Sequence, residues 1–455
     1  MIDRSRPPAL GPASRSRFPF VERARISGID LRVARLPSSP FVSLSWVAPA
    51  GGELDPSGLE GRATLTASVL DEGTSRHTSS EIAARVERLG GSIGSSADWD
   101  AGYLRIEVLA RDLPAALDLV GEVLLDPAFP EPEIDRLRRQ RLADLHALRE
   151  RPGAIADVAL SRAIYASAPY GRLLGGTEGS ISNLRRSDLQ EAHRTAWLSR
   201  GASLVAAGAV STDELAPWLE ASLRGAQLSR AEFAHPAETL PSTLSAPGNR
   251  ILLVDRPDAA QSEVRLGHVG VSRTDSARSS IQVMNAILGG KFTSRINLNL
   301  RERHGFTYGA FSRFTGRRAA GPFSVSAAIA NESVGAAVRE VLFEITRIRE
   351  QSVTTEELTD ARDYLVGVFP YTLQTAADLN GRLEDLAQFG LPDDEIDRHL
   401  ARVAGTTQED VLTVAVSHLL PDEMRIVVVG PATQLRSQLE DWGPITETTA
   451  SELFS

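Results

Sequence analysis

The sequence predicts an α+β protein made of two homologous halves of about 220 residues, each a mostly antiparallel sheet with helices on one face. Three observations carry this reading. The chain has 455 residues, too many for one ordinary core, since single cores seldom exceed about 250 residues. Strand-like stretches precede helical ones, twice over, an order that segregates helices to one side of an antiparallel sheet. Three stretches also recur at a nearly constant spacing. "GASLVAAGAV" from Gly201 matches "EMRIVVVGPA" from Glu423, an offset of 222 residues. "GEVLLDPAFPEPEIDRLR" from Gly121 has a counterpart in "REVLFEITRIREQSVTTEELTDAR" from Arg339, and "AGYLRIEVLA" from Ala101 in "AGPFSVSAAIA" from Ala320.

In chain order, residues 1–20 are rich in Arg, Pro and Ser and predict a mobile arm. The first domain follows over 21–228. It opens with a strand pair, "RISGIDLRVARL" and "FVSLSWVAPAG", whose apolar positions alternate or run continuously. Leu59, Ala63, Leu65, Ala67, Val69 and Leu70 are spaced for a helix that Gly73 stops. "SSEIAARVERLGG" is a second helix, with Ser79 or Ser80 as N-cap and Gly90 and Gly91 beyond its end. "SIGSSADWDAGYLRIEVLA" returns to strands, and two helices, "LPAALDLVGEVLLDP" and "EPEIDRLRRQRLADLHALRERP", come next. A Pro/Ser/Ala-rich linker over 229–249 separates this domain from the second, 250–455.

Composition removes several function classes. With 42% hydrophobic and 24% charged residues the chain reads as globular. A net charge of -10 does not suit a nucleic-acid surface. Lys291 is the only lysine, so positive charge is almost all arginine. The absence of cysteine excludes disulfides, thiolate nucleophiles and Cys-bound zinc. The start of the chain has no apolar leader core, and no window approaches the ~18 apolar residues of a membrane span. The expectation is a soluble protein, cytoplasmic, with the periplasm as the alternative.

One stretch stands out. "NLRERHGFTYGAFSRF", residues 299–314, sets Arg301, Arg303, His304 and Tyr308 around Gly305 at the end of a predicted helix. A solvated helix end capped by Gly305 accounts for the charges, but not for the tyrosine or for the strand-like run that follows.

This stretch, inside "LGGKFTSRINLNLRERHGFTYGAFSRF", resembles the C-terminal motif of the pitrilysin and insulysin peptidases, relatives of the mitochondrial processing peptidase and of the respiratory core proteins. "LDEGTSRHTSSEIAARVERLGGSIGSSADWD", "LLDPAFPEPEIDRLRRQRLADL" and "YGRLLGGTEGSISNLRRSDLQEAHRTAWL" are similar to first-half segments of the same family. The resemblance covers residues 25 to 435. It implies a zinc site on an H-x-x-E-H helix, where histidines at i and i+4 share one face and the glutamate activates the bound water. Here those positions read "TLTAS": Thr64 and Ser68 stand for the two histidines, Ala67 for the base, and the third-ligand position falls near Asp144. No histidine pair has i, i+4 spacing. His77 with Glu81 and His146 with Glu150 have it, and are read as ordinary surface helix pairs. "LGG" at 288–290 and "LGGTEG" at 174–179 lack the P-loop lysine pattern and are read as turns.

In the resembled family an arginine and a tyrosine seven residues apart in the second half hold substrate and stabilise the oxyanion; Arg301 and Tyr308 match them. The chain thus matches the gripping half of a site and lacks the cutting half. The resemblance implies a non-zinc subunit with no cofactor of its own, whose partner is an H-x-x-E-H-bearing homologous subunit that supplies zinc, in a heterodimer or a dimer of heterodimers. Its substrate would be an extended peptide held by strand addition to a sheet edge. An inactive structural or peptide-binding scaffold, similar to the respiratory core proteins, is the alternative. Neither nucleic acid nor a membrane span is expected.

Overall fold

The computed structural model describes residues 17–233 and 250–454. Most of the expected arm (1–20) and linker (229–249) lies outside them.

The first half contributes β1 (Val21–Ile26), β2 (Ile29–Arg35), β3 (Phe41–Ala48), β4 (Ser92–Ala97), β5 (Gly102–Leu109) and β6 (Ser203–Gly208). They form one sheet in the order β1-β2-β6-β3-β5-β4. The second half contributes β7 (Ile251–Asp255), β8 (Gln261–Val269), β9 (Ala310–Phe314), β10 (Pro322–Ala330), β11 (Arg425–Gly430) and β12 (Ile445–Thr448), ordered β12-β7-β11-β8-β10-β9. The repeat seen in the sequence is therefore structural: β6 and β11 take the same place, as do β5 and β10. Most neighbours are antiparallel. The exceptions are β2 with β6, β7 with β11 and β12 with β7, the first two parallel because β6 and β11 return only after long helical excursions. The outermost strand differs: β1 lies antiparallel to β2, whereas β12 lies parallel to β7.

Each sheet carries its own helices on one face. Ile29, Leu31, Leu44, Trp46 and Leu104 pack there against Leu65, Ile82, Leu119 and Val123. Strands such as "FVSLSWVA" and "RIVVVG" are buried on both faces over almost their whole length, so the second face also has to be covered. A helix from the opposite half does this. Helix Ala376–Gln388 lies on β3 and β6, placing Leu379, Leu383 and Leu386 against Val47, Val205 and Ala207. Reciprocally, helix Pro152–Tyr165 lies on β8 and β11, where Ile155, Ala159 and Ile164 meet Val427 and Val429. The halves are thus clasped by exchanged helices, beyond the single helical face that each half's own pattern predicts.

Several polar groups inside the clasp are matched. Arg105 on β5 grips Glu384 with two bonds of 2.7 and 2.8 Å, and Ser45 donates to the same carboxylate at 2.6 Å. Arg265 on β8 meets Asp157 at 2.7 Å in the mirrored place. At the seam, the backbone N–H of Arg318, in the β9–β10 loop, donates to Asp100 (3.0 Å), and the Tyr165 hydroxyl donates to the Ala320 carbonyl (2.9 Å). Glu53 faces Asp98, Asp100 and Arg318 here. Its carboxyl is pushed up to about 8, first by burial and then by Asp100, with Arg318 opposing.

Local signals mostly hold. The 79–88 helix is capped by Thr78 instead of a serine, because Thr78 has Glu81 three residues on and the two close a reciprocal capping box. Ser79 is free to donate to Glu72 (2.8 Å) instead.

Candidate functional site

Arg301 sits in the widened π-helical turn Leu298–Arg303, and several buried side chains hold this segment still. Arg295 makes a bidentate pair with Glu357 (2.7 and 2.8 Å), whose hydrogen bonds hold that carboxylate down at about 2 despite burial. Lys291 pairs with Asp360, and the Asn299 amide donates to Glu344 at 2.9 Å. Gly305, at φ +66°, ends the turn in the left-handed region and lets Phe306 N–H reach back to the Leu300 carbonyl (2.9 Å). The charged helix end and the presented tyrosine therefore coexist.

The Tyr308 and Arg301 side chains have few polar partners. Tyr308 is 89% exposed, and among the described residues its hydroxyl has no hydrogen-bond partner. The Arg301 guanidinium lies 4.4 Å from the Phe292 ring centroid, and its Nη1 is buried without a hydrogen-bond acceptor. Its nearest carboxylate is Glu302, at 3.6 Å. Phe292 and Phe311 are exposed beside it. The segment thus carries two donors without a hydrogen-bond acceptor among the described residues, a phenol and a guanidinium, close to exposed rings.

The helix Arg62–Val69 presents the opposite picture. Thr64 donates its hydroxyl to the Gly61 carbonyl (3.1 Å), and Ser68 donates to the Thr64 carbonyl (2.9 Å). Ala67 is fully buried. Asp144 lies exposed on helix Glu131–Arg149, which packs on this one. The loop 174–176 seals the helix start so closely that a Cβ on Gly176 would meet the Glu60 carbonyl at 2.3 Å. Among the described residues, no three His, Cys, Asp or Glu side chains converge as a metal ion would need.

His77 does not share anything with Glu81. Its Nδ1 lies 2.5 Å from buried Glu122, which also receives Thr74 and Arg85. Burial pushes Glu122 up, but the bonds from His77, Thr74 and Arg85 outweigh it and hold its carboxyl below the usual range. His146 is exposed, and Glu150 pairs with Arg256 (2.8 Å).

Of the four edge strands, β4 and β9, at equivalent ends of the two sheets, differ in a way that no single local pattern marks. Asp98 N–H bonds the Ala101 carbonyl at the β4–β5 turn (2.9 Å). Antiparallel alternation then turns Ser96, Gly94 and Ser92 toward β5 and leaves the backbone groups of Ile93, Ser95 and Ala97 facing outward. No hydrogen bond reaches them from any described residue, and there is open space over Gly94. The corresponding outward residues of β9 are Ala310, Ser312 and Phe314. There the Asn297 side chain accepts from Ala310 N–H and the Asn285 amide donates to the Ser312 carbonyl, both at 3.0 Å. One edge is open and the other is filled. The short polar run "SIGSSA" was the available signal for an open edge; nothing local marked the two asparagines.

Comparison with known proteins decides the family. Residues 33–178 match the insulinase (peptidase family M16) model, and residues 183–365 match the model described as the peptidase M16 inactive domain. The chain belongs to the insulinase family. It is 25% identical over 408 residues to an uncharacterized zinc protease of Streptomyces coelicolor, covering 89% of this chain and 88% of that one. It aligns with a TM-score of 0.82 and 26% identity to a peptidase M16 inactive domain from Pseudomonas fluorescens, over 90% of this chain and 98% of that one. A chain of complex III2 from Candida albicans, with Inz-5 bound, shares the fold at a TM-score of 0.75 and 16% identity, over 93% and 100% of the two chains.

The zinc implied by the insulinase family does not fit the residues present. Neutral hydroxyls already engaged with helix carbonyls replace both imidazoles, and a methyl group replaces the carboxylate base. No hydrolytic step is derived through this helix.

Proposed function

We propose that this insulinase-family chain is the non-zinc subunit of a two-subunit metalloendopeptidase. Its role is to hold an extended peptide and to present Arg301 and Tyr308 to the H-x-x-E-H zinc site of a homologous partner. The observation that carries this is the Tyr308–Arg301 pair on a well-anchored segment: donors that have no hydrogen-bond acceptor among the described residues suit an oxyanion forming elsewhere. The free edge of β4 supports the peptide role, because an extended chain added there satisfies the outward groups of Ile93, Ser95 and Ala97. Unfolded segments fit such an edge and folded proteins do not. Zinc, in this reading, belongs to the partner alone.

The scaffold reading, an inactive structural role, is favoured by one observation: a chain of complex III2 has the same two-half fold. Co-expression with an H-x-x-E-H-bearing homologue separates the two. The expected result is a mixed complex by sizing that cleaves an unstructured peptide, while this chain alone holds no stoichiometric zinc and cleaves nothing. Zinc bound one-to-one by the isolated chain, or a mixed complex without activity, overturns the proposal.

A further inference from the structure

Away from the Tyr308 region, a pocket of about 240 Å³ opens between four helices of the second half: Arg278–Asn285, Thr355–Val368, Ala376–Gln388 and Glu395–Gly405. Leu365, Val368, Phe369 and Leu400 form an apolar wall, and Arg273, Arg278 and Arg382 enter from the other side.

The charges there do not balance. Arg273 is matched by Asp385 at 2.5 Å. Glu395 is taken by Arg402, also at 2.5 Å, and Asp275 caps the Ala277 N–H (2.8 Å). His399 is neutral: its Nε2–H donates to Gln282 (2.7 Å) and its Nδ1 accepts from Ser279 (2.8 Å). Burial first, then Arg273, Arg278 and Arg402, push its imidazole down to about 4. Arg278 and Arg382 remain without an ion pair or hydrogen bond among the described residues. Arg278 is pressed against the backbone at Gly316, where a Cβ would lie 3.1 and 3.2 Å from its two terminal nitrogens. The Arg382 guanidinium lies 5.9 Å from the Phe369 ring centroid. Burial, with Arg273 next, lowers Arg278 to about 10. Asp385, Asp275 and Glu395 act on Arg278 only from beyond ion-pair distance, so its partly buried guanidinium has no direct partner, a costly arrangement that an added anion would relieve.

We infer that this pocket binds a small organic anion, a carboxylate or phosphate monoester with an apolar flank, whose charged end sits between Arg278 and Arg382 and whose flank lies on Leu365, Val368 and Phe369. The pocket volume excludes anything as large as a folded partner. The inference is independent of the peptidase reading, since neither arginine belongs to the Tyr308 region or to the 62–69 helix.

Thermal unfolding of the full chain tests it, with sodium hexanoate and phenyl phosphate as probes, and inorganic phosphate and chloride as references at matched ionic strength. The expected result is a rise of about 3 °C at a hundredfold excess over Kd with an organic probe. The stronger of the two probes identifies the headgroup. Arg278→Met keeps the packed stem and removes the uncompensated charge, so it raises the melting temperature of the free protein while abolishing the ligand-dependent rise. Arg382→Gln, at the wetter position, leaves the free protein unchanged and also abolishes the rise. Three results would each overturn the inference: an equal response to inorganic phosphate, a ligand response that survives both substitutions, or a free protein destabilised by Arg278→Met.

Discussion

Strand β4 in the first half and strand β9 in the second occupy the same end of the same six-stranded topology. The first leaves the outward backbone groups of Ile93, Ser95 and Ala97 bare; the second has two of its own filled by Asn285 and Asn297. The side chains beside the two edges show the reverse. Next to β4, the hydroxyls of Thr64 and Ser68 are engaged with carbonyls of their own helix region, whereas the Arg301 and Tyr308 beside β9 lack acceptors. The two copies of the fold thus differ: one leaves edge backbone groups unpaired, the other leaves side-chain donors without acceptors. An exposed strand edge is an aggregation hazard, so filling the β9 edge limits that hazard.

The largest effect that sharpens this contrast is on turnover. In the mixed complex, Tyr308→Phe or Arg301→Ala lowers kcat/KM by about 10²–10³-fold without loss of assembly, the scale of removing one oxyanion donor. Unchanged kinetics in an intact complex would remove these residues from the mechanism. Next comes the filled edge. Asn297→Ala strands the buried Ala310 N–H and costs about 1–3 kcal/mol in urea denaturation. Light scattering of the same variant reads any self-association through the reopened β9. A cost below about 0.5 kcal/mol means that the asparagine is no plug. At the open edge, Ala97→Pro deletes one outward N–H without touching the β5 ladder, and weakens binding of an extended peptide by about five- to tenfold, the worth of one hydrogen bond. Equal affinity in titration calorimetry would move the peptide off β4.

A pH-dependent effect lies at the seam between the halves. The folded carboxyl of Glu53 titrates near 8, above its ordinary 4.5, so the native state favours its neutral form. Stability from this group is full below pH 4.5 and declines as pH rises through 8. Glu53→Gln should therefore match the wild type at pH 4.5 and melt at a higher temperature at pH 9. A variant that loses stability at pH 9 would show that Asp98, Asp100 and Arg318 require the charged form.

Much of this architecture is legible in the residues. "GASLVAAGAV" and "EMRIVVVGPA" announce the duplicated strand, Gly305 announces the turn that presents Tyr308, and "TLTAS" announces the missing imidazoles. Capping is less legible where candidates crowd together, as Thr78, Ser79 and Ser80 do; the reciprocal partner Glu81 selects among them.

By itself, then, the sequence determined the two α+β halves, the loss of metal ligands on the 62–69 helix, and the chemical identity of the Arg301–Tyr308 pair. All of these are carried by periodicity, motif and residue type over short spans. Only the tertiary structure decided that the 376–388 helix covers the sheet of the other half, that Glu384 meets Arg105, and which strand edge stays open. An apolar helix face states that it must be buried, but not against what. That choice is made by contacts between residues hundreds of positions apart, and no local pattern records them.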